Sequence, residues 1–105
     1  MIKLYTIRDL QADVFEKIFA FNSEGEAKRV FLQACLDTTH AIGQFPDDYV
    51  LYHIGEYDDT NGIPHGHDPV RVITGVEILN QHKQRMDKLA GLNREIDEIQ
   101  QQEIN

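Results

Sequence analysis

Tyr49-Val50-Leu51-Tyr52-His53-Ile54-Gly55-Glu56-Tyr57, followed by Asp58-Asp59-Thr60-Asn61-Gly62, is the stretch that decides the fold. Aromatic and β-branched side chains suit a pleated, half-buried surface, so the first nine residues predict a strand at the centre of a sheet. Asn61-Gly62 is a tight-turn pair, because both residues tolerate positive φ, so the chain reverses there. Val70 to Ile73 is a short β-branched run that can return beside the first strand. Ile63 to Pro69, with Pro64, Gly66 and Pro69, reads as irregular.

Working towards the N-terminus, Asp37 to Asp48 reads as a loop broken by Gly43 and Pro46. Before it, Ser23-Glu24-Gly25-Glu26 has the form of a capping box, in which side chains satisfy the first free N–H groups of a helix. Ala27, Val30, Phe31, Ala34 and Cys35 then recur at helical spacing and give one apolar stripe, with Lys28, Arg29 and Gln33 outside it. Ile2 to Arg8 alternates as a strand. Val14 to Phe21, with Phe15, Phe19 and Phe21 about Lys17, reads as a second strand, with a helix as the competing assignment.

Towards the C-terminus the pattern changes at Leu79, where Met86, Leu89, Leu92, Ile96 and Ile99 follow at spacings of three and four. These predict a longer helix. Leu79, Met86, Leu89, Asn93 and Ile96 also fit a heptad seam with Asn93 as its polar position, so packing on the sheet and self-association through 79–103 both stand open. The expected fold class is α+β, in the order β-β-α-β-β-α. It comprises a small mixed or antiparallel sheet of three to four strands, one packed helix, and a C-terminal helix. Residues 1–78 form the single α+β domain and 79–105 the helix, docked or self-associating.

A chain of 105 residues fits one domain, and 41% hydrophobic residues can supply its core. The longest apolar runs fall far short of the roughly 20 residues that cross a bilayer, so no membrane span is expected. Met1-Ile2-Lys3-Leu4-Tyr5 lacks the basic-then-apolar form of a secretory signal. Cys35 is alone, which excludes an intramolecular disulfide and a Cys-based zinc site.

The net charge of −8 is concentrated. Residues 37–69 hold seven acidic side chains and no Lys or Arg, while the segments on either side are near balance. Nucleic-acid affinity grows with the number of phosphates neutralised by Lys and Arg, so tight nonspecific binding is disfavoured. A base-stacking face would draw on Lys3, Tyr5, Arg8, Lys28 and Arg29, with Tyr49, Tyr52 and Tyr57 as further aromatics. Asp47, Asp48, Glu56, Asp58 and Asp59 are the surface expected to meet a basic partner.

His65 and His67, two residues apart, are the nearest approach to a metal pair, but two ligands do not complete a site and no cofactor is expected. Gly66 between them, and the lack of any tyrosine after Tyr57, oppose a rolling-circle nickase. Tyr57 to Asp68 can be laid on a calcium loop, but Tyr57 fills its first ligand position, which favours an Asp-rich hairpin turn. No phosphate-binding glycine loop and no nucleophile with a base is present, so no enzymatic activity is expected.

Met1-Ile2-Lys3-Leu4-Tyr5-Thr6-Ile7-Arg8-Asp9, then Ala27-Lys28-Arg29-Val30-Phe31, then Phe45-Pro46-Asp47-Asp48-Tyr49 through Tyr57-Asp58, resembles the small nonstructural protein of gokushoviruses, single-stranded DNA bacteriophages of the microvirus group. The resemblance covers roughly the first 64 residues. It implies a protein of the host bacterial cytoplasm, absent from the mature virion, with a part in single-stranded DNA genome synthesis. The implied partners are a phage or host replication protein and, weakly, single-stranded DNA. Tyr5, Arg8, Arg29, Asp48, Tyr52 and Gly55 are matching positions that serve equally as fold determinants, and Arg8 and Asp48 are expected to pair.

Overall fold

The computed structural model describes the backbone of residues 1–104 and the side chains of residues 1–101. Its elements are β1 (Ile2–Asp9), β2 (Val14–Phe21), α1 (Glu24–Leu36), α2 (Ala41–Gln44), a 3-10 turn (Pro46–Asp48), β3 (Tyr49–Asp58), β4 (Ile63–Thr74) and α3 (Gly75–Ile104). The four strands form one antiparallel sheet in the order β2-β1-β3-β4, an α+β fold as the alternation of strand and helix patterns requires.

Successive strand residues face opposite sides, and this divides the sheet. Tyr5, Ile7, Leu51 and Ile73 share one phase and meet Ala27, Phe31 and Cys35 of α1 and Ile78 of α3 in a single buried core. Phe19, Phe21 and Leu79 pack around it. Ser23 caps α1 as expected, its side chain accepting from the Glu26 N–H at 3.1 Å. Val14–Phe21 is a strand, because Phe19 and Phe21 extend the apolar face of β1.

Three expectations for the segment from Asp58 onward are corrected. β4 begins at Ile63, seven residues before Val70, and carries Pro64 and Pro69 within it. It is an edge strand, where the N–H that proline lacks is not needed for the ladder, and a bulge between the His53 and Gly55 pairings takes up the extra residues. In the hairpin turn only Gly62, with φ of 72°, adopts the left-handed conformation, while Asp58 accepts from the N–H groups of Thr60 and Asn61, each at 3.1 Å. The last helix starts at Gly75 rather than Leu79. Thr74 Oγ1 accepts from the Glu77 N–H and Glu77 returns to the Thr74 N–H, both at 3.1 Å, which is a reciprocal capping box.

Residues 37–48, expected as a loop, carry α2 and the 3-10 turn. The C-terminal helix is continuous from Gly75, and its first turns dock: Ile78 is buried and Leu79 packs on the core. From Lys83 to Gln101 every residue except Gly91 is exposed, and the molecule is 65 Å along its longest axis against 36 and 21 Å across the others.

Candidate nucleic-acid interface

The second face of the sheet carries the alternate phase: Thr6, Arg8, Val50 and Tyr52 on the central strands. Strand register aligns two rows across it. Ile18, Thr6, Tyr52 and Arg71 form one row spanning all four strands, and Phe15, Arg8, Val50 and Thr74 form the next. None of these eight belongs to the buried core shared with the helices. Ile18 is 66% exposed and Phe15 44%.

The rows are tightly organised. Thr6 is buried beneath its neighbours, and its hydroxyl spans the main-chain carbonyls of Glu16 and Lys17 at 3.2 and 3.0 Å, where β2 bulges against β1. Because of that bulge Phe15, and not Glu16, stands opposite Arg8. The Phe15 ring meets Tyr52 edge-on at 5.4 Å, and the Arg8 guanidinium lies over Phe15 at 5.3 Å. Arg8 pairs with Asp13, whose hydrogen bond raises the guanidinium pKa further. Its Nε is buried and has no hydrogen-bond partner among the described residues. Arg71 pairs with Glu77, and both are about half exposed. Exposed ion pairs of this kind contribute about 0–1 kcal/mol, so both guanidinium groups can exchange a carboxylate for another anion at little cost.

The sequence-derived nucleic-acid set is not brought together. Tyr5 is 1% exposed and its ring lies against Phe21 and His53, so it cannot stack with a base. Burial raises its hydroxyl pKa, with Glu24 adding to the shift. Lys3, opposite Phe21 and Glu56, has the phase of Tyr5 and not of Arg8. Lys28 and Arg29 lie on α1, Lys28 pairing with Glu24 at 3.6 Å. Those two line a cleft of about 230 Å³ with Leu32 of α1 and His82 and Arg85 of α3. Of the original five, Arg8 alone lies on the bare face, and it pairs with Asp13 rather than Asp48, which accepts from Gln11 Nε2. Phe15 and Arg71 went unrecognised because each is placed by a bulge in strand pairing, which local sequence does not reveal. Tyr52 was recognisable as a strand aromatic.

The acidic set also divides. Asp47 and Asp48 sit in the 3-10 turn before β3, whereas Glu56, Asp58 and Asp59 lie at its far end and in the hairpin turn, roughly 30 Å away along the strand. They form two surfaces rather than one. The Asn61 side chain and the N–H groups of the turn hold the Asp58 carboxyl below its ordinary pKa.

His65 and His67 take different neighbours. His65 pairs in register with Glu56, while His67 Nε2 lies 3.1 Å from His53 Nδ1, and the His53 ring packs on Tyr5. Among the described residues no group of three or more His, Cys, Asp or Glu side chains is placed to hold a metal ion. Burial pushes the Cys35 thiol up to about 11, which leaves it a poor nucleophile at neutral pH. No helix among the described residues is long and apolar enough to cross a membrane.

Residues 2–78 match the family model described as "Phage ORF5 protein". The matched span takes in the whole sheet, α1 and the first turn of α3. No curated protein and no solved structure matches the chain.

Proposed function

The chain belongs to the phage ORF5 protein family, and from that membership we propose a non-enzymatic, nonstructural protein of the gokushovirus type that contacts single-stranded DNA during genome synthesis in the host cytoplasm and is absent from the mature virion. The observation that carries this reading is the pair of cross-sheet rows in which Tyr52 and Phe15 lie beside Arg8 and Arg71. Unpaired bases stack on aromatic faces while cations meet the backbone.

Magnitudes make the contact weak. Two aromatic platforms at about 1–3 kcal/mol per base give roughly 2–6 kcal/mol. That corresponds to dissociation constants from above millimolar to tens of micromolar. The acidic clusters at both ends of β3 oppose anything tighter. The protein therefore holds a strand briefly and does not coat it.

The test is a titration with a short oligothymidylate followed by amide chemical shifts. Shifts centred on Thr6, Tyr52 and Arg71 support the reading. Shifts confined to α1 and α3, or none at oligonucleotide concentrations in the tens of millimolar, refute it.

A second reading is favoured by Ile18, which is 66% exposed on the same face and aliphatic, and so suits a protein surface better than a base. On that reading the face meets a phage or host replication protein, with the two acidic clusters meeting basic groups at its margins.

A further inference from the structure

The second half of α3 has an apolar edge that nothing among the described residues covers. Leu89, Leu92, Ile96 and Ile99 alternate at spacings of three and four, with Met86 beside them, and each is between 44% and 56% exposed. Of the seam read from sequence, Leu79 packs on the core and leaves it, while Leu92 and Ile99 extend the exposed apolar edge. The same edge continues back through Arg85 and His82 to Ile78, where α1 covers it. A helix that leaves its domain with one apolar edge is marginal in water unless that edge is packed.

We propose that a second copy of this chain covers the edge, the two α3 helices pairing through Leu89, Leu92, Ile96 and Ile99. Two features of the chain select a copy of itself. The seam is self-complementary, since large aliphatic residues fill its four positions, 89, 92, 96 and 99, and can interdigitate with an identical set. Charge permits the pairing as well. Within α3, Lys83, Arg85 and Lys88 lie in the half nearer the domain and Glu95, Asp97 and Glu98 in the half beyond it, so antiparallel copies set opposite charges beside one another, while residues 37–69 hold seven of the eight excess negative charges, in the body. Those bodies are held apart when the helices run antiparallel. A parallel pair would bring them together and set Arg85 against Arg85 of the other copy at the head of the seam. The inference is independent of the DNA reading, whose residues lie on the sheet.

Sedimentation equilibrium of the full chain from micromolar to sub-millimolar concentration tests it. A monomer–dimer equilibrium is expected, with Ile96→Glu weakening the dimer by about tenfold or more and Asp87→Lys, on the opposite side of the helix, leaving it intact. The β-sheet amide spectrum should be unchanged in both variants, because position 96 is exposed in the monomer. A monomer at every concentration overturns the proposal and passes the edge to a different protein. A trimer or tetramer overturns the two-copy assignment, and a dimer indifferent to Ile96→Glu overturns the interface.

Discussion

The hydroxyl of Thr6 lies 3.0 Å from the main-chain carbonyl of Lys17, and through this contact a central strand fixes the bulge in its edge neighbour. Thr6 is 3% exposed, so its oxygen and the two carbonyls it serves have little access to water. Thr6→Val keeps the shape and removes the donor. The expected cost is about 1–3 kcal/mol, measured as a lower urea midpoint, and an unchanged midpoint would mean that the carbonyls find other partners.

Two glycines should respond in opposite directions. A Cβ at Gly75 would collide with the Pro46 carbonyl, where the chain leaves β4 and crosses the 3-10 turn, whereas at Gly91 it would meet open space. Gly75→Ala should destabilise by roughly 1–3 kcal/mol, since main chain must move. Gly91→Ala should stabilise α3 by up to about 1 kcal/mol and raise its helicity. Thermal melts followed by circular dichroism compare the two.

Stability should fall in acid for a nameable reason. The Asn61 side chain and turn N–H groups lower the pKa of Asp58, and the Thr74 N–H and Arg71 lower that of Glu77. A depressed carboxylate contributes stability that is fully present above its unfolded value, about 3.9 for Asp and 4.3 for Glu, and is lost as pH falls through the lower folded value. Urea midpoints should therefore drop below about pH 4. Asp58→Asn should flatten part of that fall while preserving much of the turn, since asparagine makes the same turn contacts. An unaltered acid profile in Asp58→Asn would contradict this.

Local chemistry made most elements legible: the Ser23 box, the aromatic run from Tyr49 and the spacing of Ala27, Phe31 and Cys35 each specify one structure. Tertiary context decided the rest. Apolar periodicity begins at Leu79, so it places the start of α3 four residues late, although Thr74 and Glu77 repeat the Ser/Thr-x-x-Glu sequence pattern of Ser23 and Glu26. Pro64 and Pro69 argue against a strand only when both its edges are paired, and sequence does not say which strand is the edge. The candidate interface was least legible. A bulge shifts which side chains share a face, so the phase of Phe15 and Arg71 depends on pairing with strands distant in sequence.

The most direct test of the sheet-face claim is fluorescence anisotropy of a labelled single-stranded oligonucleotide against the wild-type chain and Tyr52→Ala, over low to moderate salt. The account predicts weak binding with a shallow salt dependence. The slope of log K against log salt should be about −1.4 for two guanidinium contacts, and Tyr52→Ala should weaken binding by about fivefold or more. No binding at low salt, or binding that ignores Tyr52→Ala, would contradict it.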